Sequence, residues 1–247
     1  MKLTGVRVIY SQPSPRLGAD QGMDEGGPAR LIGIYGGTCF LVHLETNGFT
    51  KPSAMMSSLP LLVLSFLALT SKMQVHARLA TTGAFAILAL SRYLLVSNFS
   101  WECAVLGYAL ATVGHLLYYY SFKSLIEEWS IALIMLATMY FTTLSYHCFS
   151  DLFTSIPFLV LLHACTFASS CFLVVAAGSI CESRLEPDYE ATQAAYIRLV
   201  GTLANVSSNT IFLLSLFALR VEALQVFSRW LFYIGEGLMF FANERTF

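Results

Sequence analysis

Between Gly83 and Phe122 the chain reads GAFAILALSRYLLVSNFSWECAVLGYALATVGHLLYYYSF, two long apolar segments joined by a very short polar link. A helix needs about 20 apolar residues to cross a bilayer, within a range of about 17–25; Trp101–Phe122 has 22, and the first segment has 18 when counted from Leu79 to Val96. Hydrocarbon offers no hydrogen bonds, so the backbone must satisfy itself and the segments read as a helical hairpin. The rest of the sequence repeats the pattern. It is 56% hydrophobic and only 12% charged, whereas a soluble domain carries about 25% charged residues. The apolar residues come in blocks rather than one-face stripes. The fold class this implies is all-α, a polytopic transmembrane bundle.

A net charge of −1 offers no basic field for nucleic acid. The cysteines (Cys39, Cys103, Cys148, Cys165, Cys171 and Cys181) show no C-x-x-C or zinc-type spacing. Most fall in or beside apolar blocks, where a small buried hydrophobe is the simpler role. No metal, cofactor or disulfide framework is implied.

Residues 1–30 are polar, rich in Gly and Pro, and contain no apolar h-region. They read as a mobile cytoplasmic tail, and 31–247 as a single transmembrane domain. The spans expected are Leu31–Leu44, Ala54–Thr70, Leu79–Val96, Trp101–Phe122, Ser130–Phe149, Ile156–Cys181, Ala194–Leu219 and Leu224–Ala242. The first is short and interrupted by Gly33, Gly36 and Gly37. Lys and Arg test the count. With every span kept, one side collects Lys2, Arg7, Arg16, Arg30, Lys72, Arg78, Lys123, Arg184, Arg198 and Arg245. The other receives only Lys51, Arg220 and Arg229. Both termini are then cytoplasmic. The sequon Asn98-Phe99-Ser100 lies too close to two membrane entries to be a good glycan acceptor, and Asn205-Val206-Ser207 lies inside a span. The acidic stretch Cys181–Gln193 reads as a solvated connector.

Ionisable groups within spans are costly and read as functional by default. Glu102, Arg198 and Arg229 lie near span ends, where they can snorkel to headgroups. His147 beside Tyr146 suits the interfacial belt, and His163 suits an interhelical hydrogen bond. Arg92, His115, Asn209 and Glu236 lie deeper. A carboxyl at the depth of Glu236 needs either a proton or a cationic partner. Arg92 is the cation on offer, so an Arg92–Glu236 contact is expected. Small residues along the third span (Gly83, Ala84, Ala86, Ala89) and the seventh (Gly201, Ala204, Ser207, Ser208) suit close helix packing.

Four blocks, in order and spacing, resemble the lysoplasmalogenase (YhhN-like) family of eight-span membrane proteins. GAFAILALSRYLLV is similar to a small-residue helix that ends in Gly-Asp. GHLLYYYSF is similar to the family's small-His-Leu-Leu-Tyr segment, which places His115 and Tyr118 on family positions. GTLANVSSNTIFLL resembles a block ending in Ser-Asp, and WLFYIGEGLMFFANER the closing span, where Glu236 takes a position often held by Gln. The resemblance covers about residues 31–245. It implies cleavage of the vinyl ether of a lysoplasmalogen to a fatty aldehyde and a glycerophospho-base, in the endoplasmic reticulum or another internal membrane. In that chemistry one carboxyl protonates the vinyl ether and a second steadies the oxocarbenium ion and orients water.

At both implied carboxyl positions this sequence departs from the pattern. Arg92 stands at the first, preceded by Ser91 rather than Gly, and Asn209 at the second, preceded by Ser208. Arg has no accessible proton and repels a developing cation; Asn has no titratable proton. The resemblance therefore implies a degenerate member with weak or no hydrolysis, whose lipid cavity binds a lysophospholipid or ether lipid through Arg92, Tyr118 and Ser208. The alternatives are an active lysoplasmalogenase that uses Glu236 and His115, and a small transporter or membrane scaffold. The oligomeric state is not legible.

Overall fold

The computed structural model describes residues 27–97, 100–150, 153–183, 189–215 and 222–247. Most of the expected tail, Asn98 and Phe99 of the first sequon, the middle of the acidic connector and the expected end of the seventh span lie outside the described residues. Within them the chain forms eight α-helices and no strand: α1 (Gly27–Glu45), α2 (Ala54–Thr70), α3 (Val75–Ser97), α4 (Trp101–Phe122), α5 (Ile131–Phe149), α6 (Pro157–Ser183), α7 (Tyr189–Leu214) and α8 (Glu222–Thr246). A single 3₁₀ turn, Lys123–Leu125, follows α4. Side-chain oxygens of Ser53, Ser100 and Ser130 accept from backbone N–H groups in the first turns of α2, α4 and α5, which fixes where those helices begin.

α2 and α4 have the boundaries read from hydropathy, whereas α1, α3, α7 and α8 extend further at one or both ends. Hydropathy marks the slab that lipid imposes, and a helix continues past it on polar residues such as Glu190 and Glu244. Gly27–Arg30, expected in the tail, belong to α1.

Among the described residues, five helices are long and apolar enough to cross a membrane: α3, α4, α5, α6 and α7. α2 is apolar but has only 17 residues. α8 falls outside this set for a different reason. It packs against α1, α2, α3, α4 and α7 and buries Ser228, Glu236 and Asn243. Its neighbours are mostly protein, so its sequence is not selected to dissolve in lipid. Together the apolar helices make this an integral, multi-pass membrane protein.

Glycine sets the closest approaches. On α4, a Cβ at Gly107 would come 2.7 Å from the Leu95 side chain, and one at Gly114 would come 2.7 Å from Leu88. The same seven-residue spacing on both helices seats α3 leucines against α4 glycines, antiparallel. The α7–α8 contact is backbone against backbone and less forgiving. A Cβ on Gly201 would lie 3.0 Å from the Gly235 carbonyl oxygen, and one on Gly235 would lie 2.9 Å from that of Gly201. Backbone cannot rotate away as a leucine tip can. Gly235→Ala is therefore expected to lower stability by about 1–3 kcal/mol through overpacking, measured as a reduced midpoint of thermal unfolding in detergent. Gly36→Ala, where a Cβ meets nothing within 4 Å, is the control. Of the small residues expected to pack, Ala84 and Ala89 are buried while Ala86 is exposed.

Arg198 does not snorkel. It is 1% exposed, and its Nη2 donates to the carbonyl of Ala242 (3.4 Å), to Asn243 Oδ1 (3.0 Å) and to Thr246 Oγ1 (3.0 Å). The Asn243 amide in turn donates to Thr81 Oγ1 and Ser121 Oγ, both at 2.8 Å. This network ties α3, α4, α7 and α8 together near the chain's C-terminal end. Glu102 and His147, by contrast, are exposed.

Candidate functional site

α4 and α6 run parallel, joined by a ladder of polar contacts. Thr112 Oγ1 lies 3.1 Å from Thr166 Oγ1, Thr166 Oγ1 donates to the Tyr108 carbonyl (2.9 Å), and His115 Nδ1 lies 2.8 Å from Ser169 Oγ. Ser169 donates its one proton to the Thr166 carbonyl at 2.7 Å. In the His115–Ser169 bond, Nδ1 is then the donor, which leaves Nε2 as the acceptor nitrogen. Opposite this ladder, α7 and α8 exchange hydroxyls: Ser208 Oγ donates to the Ser228 carbonyl (2.7 Å), and Ser228 Oγ to that of Ser208 (2.9 Å). α3 closes the third side, with Ser91 Oγ donating to the Gly107 carbonyl at 2.8 Å.

These walls enclose a cavity of about 510 Å³, lined from the last turns of α3 and α7, the first halves of α4, α6 and α8, and Pro52 of the α1–α2 link. A volume of this size suits a small-molecule site, which spans roughly 300–1,000 Å³. Arg92 and Arg229 bring charge to it, and Asn205, Ser208, Asn209, His115 and His163 bring polarity. The Arg92 guanidinium stacks over the Phe232 ring, 5.0 Å from its centroid, and its buried Nε has no hydrogen-bond partner among the described residues. Arg92 also interacts with the Tyr233 hydroxyl. Arg229 donates through Nη1 to the Phe49 carbonyl. It is aimed inward here, not outward to headgroups as its place near a span end suggests.

Glu236 is fully buried. The expected contact with Arg92 is not made as a hydrogen bond. Asn205 Nδ2 donates to Glu236 Oε1 at 2.7 Å instead, while Glu236 Oε2 and Asn205 Oδ1 are both buried without a hydrogen-bond partner among the described residues. Arg92 is near enough for its charge to act on the carboxyl. Asn205 lines the cavity and Glu236 does not, so the amide stands between the acid and anything the cavity holds. That geometry does not favour Glu236 as a proton donor to a substrate.

The chain matches no family model, no curated protein and no solved structure.

Of the residues singled out in the sequence, Arg92, His115, Ser208 and Asn209 come together on this one cavity. Asn209 Nδ2 donates to Ser170 Oγ at 3.3 Å. Tyr118, expected to bind substrate, does not line it. Its hydroxyl donates to the Met239 carbonyl at 2.8 Å, and its ring packs against Phe85 and Phe122. The next turns of the same helix carry it past the cavity into the core. His163, expected in an interhelical hydrogen bond, lines the cavity with its ring 4.4 Å from Tyr108 and 5.5 Å from Phe149. Sequence reasoning missed Asn205, Thr166 and Arg229 as site residues. A signal existed: Asn205, Ser208 and Asn209 are spaced i, i+3, i+4, one polar stripe on α7.

Proposed function

We propose that this chain is a degenerate relative of the lysoplasmalogenases, an eight-span protein of an internal membrane with both termini cytoplasmic. In this reading it binds a single-chain phospholipid or ether lipid and hydrolyses it weakly or not at all. One observation carries the proposal. The two positions at which the resemblance implies catalytic carboxyls, Arg92 and Asn209, line the same cavity, and neither side chain can deliver a proton. His115 shares that cavity, but a lone imidazole supplies only one of the two functions the vinyl-ether chemistry needs. A cationic wall in a membrane-embedded pocket suits a phosphate-bearing lipid. In this orientation the cavity lies in the half of the bilayer away from the cytoplasm.

A lysophospholipid with a photoreactive group on its chain tests the binding. Irradiated with the purified protein in nanodiscs, it is expected to label peptides that contain Ser91–Val96 or Asn205–Phe212, and excess unlabelled lipid should suppress the labelling. Labelling confined to the exposed faces of α5, with no competition, would contradict the proposal, because α5 contributes no residue to the cavity.

A further inference from the structure

The cavity is unbalanced in charge. Its described lining includes Arg92 and Arg229 and no Asp or Glu. The two guanidinium groups are close enough to act on each other electrostatically, and neither makes an ion pair among the described residues. Arg229 has a single hydrogen bond there, to the Phe49 carbonyl. The nearby carboxyl, Glu236, is turned to Asn205 and screened by it. Two cations in a low-dielectric recess repel each other and lack the anion that would offset their desolvation. A zwitterionic headgroup supplies that anion only in part, because its phosphodiester carries one negative charge and its ammonium brings a third cation. The ammonium finds no carboxylate on the described walls. A phosphate monoester carries about −1.5 to −2 at neutral pH and three acceptor oxygens, which matches two forked donors.

From this geometry we propose that the cavity recognises a phosphate monoester, received between Arg92 and Arg229, on a single-chain lipid. The lipid part rests on the single-chain reading above; the headgroup assignment rests on the arginines alone.

Three probes separate the possibilities: a monoacylglycerol phosphate, its phosphocholine ester with the same chain, and inorganic phosphate. Each is titrated into the purified full chain in nanodiscs of neutral lipid. The monoester is expected to bind about tenfold or more tightly than the phosphocholine ester, with inorganic phosphate weaker than both. Arg92→Gln is expected to abolish the preference for the monoester over the phosphocholine ester. Thermal unfolding of that variant in the nanodisc checks that it is folded. The ranking of the three probes on the unaltered protein needs no variant. Equal or tighter binding of the phosphocholine ester overturns the headgroup assignment and leaves the single-chain reading standing. Inorganic phosphate binding as tightly as the lipid monoester overturns the lipid source and makes this a free-phosphate site. Binding of none of the three overturns both.

Discussion

Replacing Arg92 and Asn209 together by Asp is expected to raise aldehyde release from a lysoplasmalogen by about 10²-fold or more over the unaltered chain. Both positions line one cavity, so the double replacement places two carboxyls in a shared space. It also removes one of the two guanidinium groups that would repel an oxocarbenium ion. The gain should appear in kcat. KM should rise, because the same change deletes a cation proposed to bind the lipid phosphate. Either replacement alone restores only one of the two functions and should recover much less. The measurement is aldehyde formation by purified variants that still bind lysophospholipid. A double variant that binds but gains nothing would mean that positions 92 and 209 are not where the acid and the stabilising carboxylate belong.

Asn243→Leu should be the most damaging change away from the cavity. Asn243 Oδ1 accepts from Arg198, and its amide donates to Thr81 and Ser121. Leucine removes all three at once. It takes a side-chain acceptor from a guanidinium that is 1% exposed, and leaves two buried hydroxyls without that donor. Losing a hydrogen bond to a charged group costs about 1.5–3 kcal/mol, and the two neutral bonds add about 0.5–1.5 kcal/mol each. Thermal unfolding in detergent should show a large fall in midpoint, or the variant should fail to accumulate. Glu102→Gln, at an exposed site, should change stability by about 0.5 kcal/mol or less. Comparable stability of the two variants would mean that the Arg198 network does not hold the helices together.

Helix number and type were legible among the described residues because apolar blocks have one solution for their backbone hydrogen bonds, although only five of the eight helices expected as spans are long and apolar enough to cross a membrane. α2 and α4 were readable to the residue, since serine caps and apolar content agree there. α8 was read short by two residues at its start and four at its end. A helix wrapped by other helices can carry Ser228, Glu236 and Asn243 inside, and hydropathy cannot distinguish protein from water as the reason for polarity. The site was half legible. Arg92 and Asn209 stood out by resemblance, and the structure brings them to one cavity. The partner of Glu236 did not stand out, because charge complementarity points to Arg92 while the α7–α8 register places Asn205 opposite it. Asn205 had been noticed only as part of a sequon. Arg198 and Arg229 were misjudged for a shared reason. Distance from a span end says how far a long side chain can reach, but not whether carbonyl acceptors closer by will hold it inside.

The central claim is a lipid cavity without working hydrolysis, and it is tested most directly by following both properties on one sample. Purified, unaltered protein is incubated with a lysoplasmalogen, and bound lipid and released aldehyde are measured together. The account expects saturable binding with aldehyde release at or near the protein-free rate. Rapid aldehyde release, or no saturable binding, would contradict it.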